Sequence, residues 1–445
     1  MDRIVFRRVG CGVLAALLLP LAAAAAPGAP QGPPFRLDTP GLVQRVGQVD
    51  VAGMASGRFV AAWRGENNVQ SAGDGIYLRR FDAAGAPLEA DDHVEGSAGN
   101  AHSPAVASND SGAYAVAWAE TKNFGYEDIY VRAYDAAGQP RGPALQVNEE
   151  ASYRIRNIEP AVAMAANGDF IVVWLRQDPE VVNGSLVFLF SFDYYWIQSS
   201  AIVAQRFSAN GTPLGKAQRV ATGVRSEFPL LLDPGNGPGL GLGRTLSNPS
   251  VAMHDDGRTL VAWASKSYDY QSYKQDTELR MQRYSAAGKE QGLSSILVYK
   301  SLAIDSTAVD MDAAGNAVVA WSAGPVQYSW ERDVMLRRYD AAGKARSAAV
   351  LAHVDSARIQ EHVDVAVAPG GSFVLGWENS TKTPGGDVIS KRVEARRFGA
   401  DGNPLAAEFV VADPAYGIRA AVDALGNPLL VWGAGGLWGR VFEGP

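Results

Sequence analysis

The chain is nearly free of cysteine, since Cys11 is the only one among its 445 residues. Cys11 lies in the first 26 residues, where three arginines accompany the apolar run Gly12–Leu21 and the small residues Ala22–Ala26. This order is typical of a secretory signal peptide. We therefore expect residues 27–445 to form an exported bacterial protein, periplasmic or extracellular, with neither a disulfide bond nor a thiol nucleophile.

The apolar run of the signal peptide is shorter than the roughly 20 residues that cross a membrane, so we expect no stable membrane span once that peptide is removed. Runs of lysine and arginine are absent as well. Residues 27–445 hold 37 basic and 46 acidic residues. A chain with this charge is not expected to bind nucleic acid.

Motifs of common active sites are also missing. The sequence contains no Gly-x-Ser-x-Gly and no His-Glu-x-x-His. Gly239, Gly241 and Gly243 lack the surrounding strand–helix–strand pattern of a phosphate-binding loop. These absences favour a binding protein over an enzyme.

Seven tryptophans mark an internal repeat. Their spacings are 55, 56, 89, 58, 56 and 55 residues, so one interval is about 33 residues too long. A glycine stands six residues before each of them, and a valine or, once, an alanine stands twelve residues before. Such a period predicts a repeat architecture. The tryptophans are Trp63, Trp118, Trp174, Trp263, Trp321, Trp377 and Trp432.

Each repeat predicts four short strands. The glycine separates two apolar, β-rich runs, and pairs such as Asn167-Gly168 favour a hairpin because glycine tolerates positive φ. In a second hairpin an aromatic residue such as Phe81 precedes a glycine, Gly85, by four residues. A short strand such as 145–147 completes the unit. Four strands in about 55 residues are typical of a propeller blade.

The last repeat lacks a fourth strand after Leu437–Phe442, whereas Phe35–Asp38 resembles a fourth strand before the first repeat. Pairing of these segments would leave no open sheet edge. We therefore predict an all-β fold in which residues 27–445 form one seven-bladed β-propeller. Each blade has four antiparallel strands, and the N-terminal strand closes the ring in the last blade. An open array of repeats is the alternative.

The pattern Val-Ala…Gly…Val-Ala-Trp…Arg-Phe-Asp-Ala-Ala-Gly-x-Pro, seen from Val51 to Pro87, resembles a tandem repeat of about 55 residues in large bacterial secreted and surface proteins. The resemblance covers nearly all of residues 35–445 and implies a propeller fold and export. It implies no catalytic residue. The Ser-x-Asp-x-Gly-x-x-Trp box of sialidase-like propellers is absent, because the glycine here stands six residues before the tryptophan rather than three.

Residues that recur in every unit are expected to be structural. A tryptophan in each second strand would pack between neighbouring blades, where a large aromatic side chain buries about 150–250 Å². The arginine before the third-strand aromatic would bond neighbouring backbone or aspartate. We therefore expect function on the face with variable connections, which carries the loops between strands two and three and the segments between blades. The extra residues fall into two loop insertions there, at about 179–200 and 228–245.

Aromatic and basic side chains on this variable face are the types that dominate binding hot spots. Alanine at Tyr195 and Trp196 is expected to weaken ligand binding without lowering the melting temperature. The opposite result would mean that residues 186–197 form a long hairpin strand belonging to the core. The candidate ligand-binding residues are Tyr126, Tyr153, Arg156, Tyr194, Tyr195, Trp196, Tyr270, Tyr273, Tyr328, Trp330 and His362.

The leading hypothesis is an exported, monomeric binding or scaffold protein whose ligand is a protein or a glycan. The alternatives are a carbohydrate-active enzyme, hydrolase or lyase, and a structural surface module without a ligand. The enzyme would need two carboxylates at about 5 Å or 6.5–9.5 Å. Its candidates on the variable face are Glu127, Asp269, Glu331 and Glu361.

No cofactor and no metal ion are predicted. Acidic turns such as Asp310–Gly315 could attract calcium. They lack the number of ligands that an EF-hand loop supplies.

Overall fold

The computed structural model describes residues 29–54, 57–66, 74–94, 100–122, 125–149, 155–186, 190–224, 242–269, 274–300, 302–325, 332–354, 358–382 and 388–444. Every named element within these ranges is a β-strand. No helix there is long and apolar enough to cross a membrane. The predicted signal peptide and most of the second predicted insertion lie outside the described residues, as do Tyr153, Tyr270, Tyr273, Tyr328, Trp330 and Glu331.

The strands of the N-terminal half form antiparallel hairpins that follow chain order. After β1 (Phe35–Arg36), the first sheet contains β2 (Arg45–Gly53), β3 (Phe59–Glu66), β4 (Gly75–Phe81) and β5 (Asp92–His93). The next four strands are β6 (Ala101–Ser108), β7 (Tyr114–Thr121), β8 (Glu127–Tyr134) and β9 (Leu145–Gln146). A further four are β10 (Arg156–Met164), β11 (Phe170–Leu186), β12 (Phe190–Phe207) and β13 (Gln218–Val224). One parallel pair, Arg156 with Glu127, joins these two groups into an eight-stranded sheet.

The C-terminal half repeats the arrangement. One sheet contains β14 (Leu242–Met253), β15 (Thr259–Asp269), β16 (Lys274–Tyr284) and β17 (Glu290–Lys300). The next contains β18 (Leu302–Met311), β19 (Ala317–Pro325), β20 (Asp333–Tyr339) and β21 (Val350–Leu351). It is followed by β22 (Ile359–Val367), β23 (Phe373–Lys382), β24 (Val388–Phe398) and β25 (Phe409–Ala412). The last strands are β26 (Tyr416–Val422), β27 (Pro428–Gly433) and β28 (Leu437–Val441), and their sheet has the order β1-β28-β27-β26.

Strand β1 supplies the fourth strand of this last sheet. Phe35 pairs with Gly439 and Arg36 with Trp438, both antiparallel. The ring of Phe35 also lies 5.7 Å from that of Phe59 in β3. The N-terminal strand therefore contacts the first and the last sheet together.

The repeated glycines form the turns that the sequence predicts. At these seven positions φ lies between 77° and 90°, which glycine adopts without a Cβ clash. At Gly168, for example, the backbone N–H donates to the carbonyl of Ala165 at 2.9 Å. The turns therefore connect the first and second strands uniformly.

The repeated tryptophans are buried in the second strands, each with at most 3% of its surface exposed. They pack with apolar residues of adjoining sheets, as Trp377 does with Val318 and Leu336. The repeated arginine bridges sheets as well, because Arg80 donates to the carbonyls of Ala136 and Ala137 at 2.8 Å. These contacts agree with a structural role for the repeated residues.

The first strands of successive sheets lie against one another. β2 contacts β6, and the same relation holds for β6 with β10, β10 with β14, β14 with β18, β18 with β22, β22 with β26, and β26 with β2. Side chains link several of these strands. The N–H of Val106 donates to Asp50 Oδ2 at 2.8 Å, and that of Val309 to Ser250 Oγ at 3.0 Å.

The first insertion is strand rather than the predicted loop. β11 and β12 stay paired from Gln177 with Ser200 out to Leu186 with Phe190, beyond the ends of β10 and β13. β-Branched and aromatic residues, which favour strands, are frequent in this stretch. Tyr194, Tyr195 and Trp196 therefore lie on β12, in a hairpin that continues past its neighbouring strands.

Candidate functional site

Each first strand contains a β-bulge at a similar level. A bulge inserts an extra residue, bends the strand and redirects a side chain, and bulges are frequent beside active sites. The register shifts fall at Gly47/Val49, His102/Ala105, Ile158/Ala161, Ser247/Ser250, Ile304/Ser306, Glu361/Asp364 and Tyr416/Arg419.

Five of these bulges hold a non-glycine residue in the left-handed region of backbone conformation. Gln48 has φ 45°, Ser103 and Asn248 have φ 51°, and Glu159 and His362 have φ 54°. Such a conformation costs about 1–3 kcal/mol per residue and is concentrated at functional sites. The bulges therefore mark this level of the first strands as a candidate site.

A cavity of about 690 Å³ runs between the first strands, and the bulge residues line it. Its volume lies within the range of about 300–1,000 Å³ that is usual for ligand sites. We call the polar residues of the bulges the mouth ring. They are Gln48, Ser103, Glu159, Asn248, Asp305 and His362.

His362 in the mouth ring is held by a buried carboxylate. Its Nδ1 lies 3.4 Å from Glu378 Oε2, and the side chains of His362 and Glu378 are 51% and 5% exposed. Lys391 contacts the same oxygen, while the N–H of Gly417 donates to Oε1 at 2.6 Å. The hydrogen bond to Glu378 raises the pKa of His362. Burial opposes ionisation of Glu378, but its bonds to His362 and Lys391 outweigh burial and bring its pKa to about 2.

Asp305, Glu361 and His362 place one possible metal-ligand atom each within 4.8 Å of one another. However, Arg332 Nη1 lies 2.7 Å from Asp305 Oδ1 and 3.4 Å from Glu361 Oε2. A guanidinium group thus supplies the positive charge between these two carboxylates. The predicted acidic turn is also occupied, because Asp312 accepts the N–H groups of Ala314 and Asn316.

Other carboxylates of the cavity are held by backbone N–H groups. Glu159 Oε2 accepts the N–H of Asn248 at 2.8 Å, and burial raises the pKa of Glu159. Burial also raises the pKa of Asp50 to about 6, that of Asp310 to about 7, and that of Asp364. The cavity therefore contains acids whose ionised form is poorly stabilised.

Glu127 and Glu361 are buried rather than exposed on the rim, at 6% each. Glu127 accepts a bond from Arg156 Nη2 at 2.9 Å and lies 3.7 Å from His102 Nε2, whose pKa is lowered by burial. Glu361 is held by Arg332 and accepts a bond from Ser380 Oγ at 3.2 Å. Both candidate carboxylates are therefore buried and already bonded to basic or hydroxyl side chains.

The candidate ligand residues that the structure describes lie in several different strands and connections. Of them, His362 alone lines the cavity within the described part of the chain, and it lies inside β22 rather than in a segment between blades. Arg156 begins β10 and is joined to Glu127, which directly follows Tyr126. Asp269, a carboxylate candidate, is the last residue of β15.

Apart from His362, the residues of the mouth ring were not expected from the sequence. Gln48, Ser103, Glu159, Asn248 and His362 each stand 15 residues before a repeated tryptophan. The distance of these five residues from the tryptophan is constant, while their side chains vary among polar types. Three of these residues are followed by proline. This combination is the signal that could have identified them.

No known protein family and no curated protein matches the chain. An ulvan lyase, a polysaccharide lyase, is 10% identical, with 94% of each chain covered and a TM-score of 0.49. A protein of unknown function from Dyadobacter fermentans is 14% identical; the match covers 77% of this chain and 94% of that protein, with a TM-score of 0.47. An α-L-arabinanase from Penicillium chrysogenum is 10% identical; the match covers 76% of this chain and 92% of that enzyme, with a TM-score of 0.45. Likeness at this level decides no function for this chain.

Proposed function

We propose that this chain is an exported, monomeric glycan-binding protein whose sheets are the seven blades of a closed β-propeller. The glycan binds at the mouth ring, in the cavity between the first strands. Pairing of β1 with β28 and contact of β26 with β2 support the closed ring. The hairpin of β11 and β12 and the predicted aromatic residues of the variable face would contact the parts of the ligand outside the cavity.

The observation that carries the proposal is the mouth ring itself. Gln48 and Asn248 have amide side chains, Ser103 a hydroxyl, and Glu159 a carboxylate, so the mouth ring offers both hydrogen-bond donors and acceptors. Sugar hydroxyls need both kinds of partner. Five residues are kept in a costly backbone conformation there, which a purely structural module would not require. A protein ligand would favour an apolar, aromatic centre instead.

A second candidate function is a carbohydrate-active enzyme, hydrolase or lyase. His362 on Glu378 has the arrangement of an imidazole oriented by a carboxylate, which suits general acid–base catalysis. Glu159, whose pKa is raised, would be a second proton carrier. Both residues line the cavity.

The test is a glycan array probed with residues 27–445, followed by calorimetry with the best ligand. Glu159→Gln and Asn248→Ala are expected to weaken binding at least fivefold. Asp82→Asn, in a turn of the first sheet, is a matched control because an amide oxygen can also accept the N–H groups of Ala84 and Ala86.

Unchanged binding by both mouth-ring variants would overturn the proposed site. Failure to bind any glycan would overturn the function and leave a protein ligand or a structural module. Cleaved or unsaturated products, lost in His362→Ala, would favour the enzyme over the binding protein.

A further inference from the structure

Ser103 of the mouth ring contacts a histidine that precedes it directly in the sequence. In a regular strand two successive side chains point to opposite faces. The β-bulge between His102 and Ala105, with φ 51° at Ser103, breaks this alternation. As a result, Ser103 Oγ lies 3.0 Å from His102 Nδ1. Ser103 lines the cavity whereas His102 does not, so the hydroxyl is the member of this pair that a ligand in the cavity would meet.

The second ring nitrogen of His102 faces a buried carboxylate. His102 Nε2 lies 3.7 Å from Glu127 Oε2 and 3.3 Å from Thr121 Oγ1. Glu127 is 6% exposed, and within the described residues its Oε2 has no hydrogen-bond partner. The other oxygen, Oε1, accepts a bond from Arg156 Nη2 at 2.9 Å, which holds the carboxylate in place. A carboxylate beside Nε2 favours the proton on that nitrogen, so Nδ1 is left to accept the proton of Ser103.

A serine, a histidine and a glutamate in this order have the arrangement that activates a serine nucleophile. The imidazole takes the hydroxyl proton, and the carboxylate stabilises the imidazolium that results. The 3.7 Å between His102 and Glu127 exceeds a hydrogen bond, but catalytic hydrogen bonds are often long before a substrate binds. Burial, partly offset by Glu127, lowers the pKa of His102, so the ring is neutral and able to accept a proton near pH 7.

A side-chain amide lies where it can bond the oxygen of a reacting carbonyl group. Gln48 Oε1 accepts the N–H of Ser103 at 3.0 Å, which fixes the amide beside this residue. Gln48 Nε2 lies 3.5 Å from Ser103 Oγ. An N–H group this close to the nucleophile can donate to the negative oxygen that develops when Oγ attacks a carbonyl carbon. The site therefore combines a nucleophile, a base, a carboxylate and an oxyanion donor.

We propose that Ser103, His102 and Glu127 form a catalytic triad that hydrolyses carboxylic esters entering the cavity. Ser103 Oγ attacks the ester carbonyl carbon and passes its proton to His102 Nδ1, while Gln48 Nε2 donates to the oxyanion. The bond to the alcohol breaks, the alcohol takes that proton, and the acyl group stays on Ser103. A water molecule then gives one proton to His102 and attacks the acyl carbon. The carboxylic acid leaves and the proton returns to Ser103.

Hydrolysis of p-nitrophenyl acetate by residues 27–445 tests this activity, together with labelling by diisopropyl fluorophosphate. Mass spectrometry should find the label on Ser103. Ser103→Ala and His102→Ala should each lower kcat at least about tenfold. Ser306→Ala is the matched control and should keep the parent rate. Ser306 lines the same cavity, but its Oγ accepts the N–H of Val363 at 3.0 Å.

Glu127 acts through His102, so Glu127→Gln should lower kcat at least about tenfold and leave KM unchanged. A parental kcat in Glu127→Gln, equal rates in the parent and Ser103→Ala, or a label absent from Ser103 would each overturn the triad. Labelling is measured on the parent protein, so it decides the question even where a variant fails to fold. Glycan binding without ester hydrolysis would overturn the triad alone, whereas hydrolysis without glycan binding would overturn only the proposed binding function.

Discussion

Replacing Asp310 with asparagine is expected to flatten the pH dependence of stability between about pH 4 and pH 7. Burial of this carboxyl between β18 and β22 raises its pKa from 3.8 to about 7, even though it accepts the N–H groups of Val367 and Met311. Asp364 and Asp312 nearby add to the rise. Asparagine keeps an oxygen for the N–H groups and cannot ionise.

The direction in which stability changes with pH follows from proton binding. Between the unfolded pKa of 3.8 and the folded value of about 7, the folded chain holds more protons than the unfolded chain, so stability falls as pH rises. The whole difference between these two pKa values corresponds to about 4 kcal/mol of folding free energy. About 2–3 kcal/mol of it falls between pH 5 and pH 8, which is a large part of a typical folding free energy.

Urea unfolding followed by tryptophan fluorescence at pH 5 and pH 8 measures this effect. The parent protein should lose about 2–3 kcal/mol more than Asp310→Asn between the two pH values. Asp82→Asn should behave like the parent protein, because Asp82 does not line the cavity. Parallel pH profiles for the parent and Asp310→Asn would refute the reasoning, whatever the constant offset between them.

Three further predictions concern the scaffold and the site. Trp118→Ala should lower the free energy of unfolding by about 3–5 kcal/mol, because Trp118 is fully buried; an unchanged thermal melt would argue against its structural role. Gly53→Ala should destabilise by at least about 1 kcal/mol in the same assay, since its Cβ would lie 2.1 Å from the carbonyl oxygen of Val422, and wild-type stability would contradict that close approach. Glu378→Gln should lower the pKa of His362 in an NMR titration by removing its carboxylate partner, and an unshifted titration would show that the pair does not form.

Much of the scaffold could be predicted because it repeats. The tryptophans and the glycine turns each occupy a constant place, so seven copies support these two assignments, and the arginine before the third-strand aromatic recurs in five units. The first insertion is the exception. Its residues Pro179, Asn183 and Gly184 are of types frequent in loops, yet residues 179–186 extend β11 and residues 190–197 extend β12. Pairing across the hairpin overrides those local preferences.

The site was harder to predict because it depends on register. In a β-bulge two residues of one strand lie opposite one residue of the paired strand. The sequence of a single strand therefore does not show where a bulge falls. His362, Glu378 and Lys391 come from three strands, β22, β23 and β24, and meet only once these are aligned. As charged residues, Arg156 and Glu127 would be expected on the surface from sequence alone. In the structure they form an ion pair between β10 and β8, which belong to different repeats.

The pairing of β1 with β28 also has a consequence for the timing of synthesis. Phe35 and Arg36 meet Gly439 and Trp438, about 400 residues further along the chain. At about 5–20 residues per second, translation leaves the N-terminal strand without its partner for roughly 20–80 s. Through that interval the last sheet cannot assemble, so its four strands come together only after nearly the whole chain has been made.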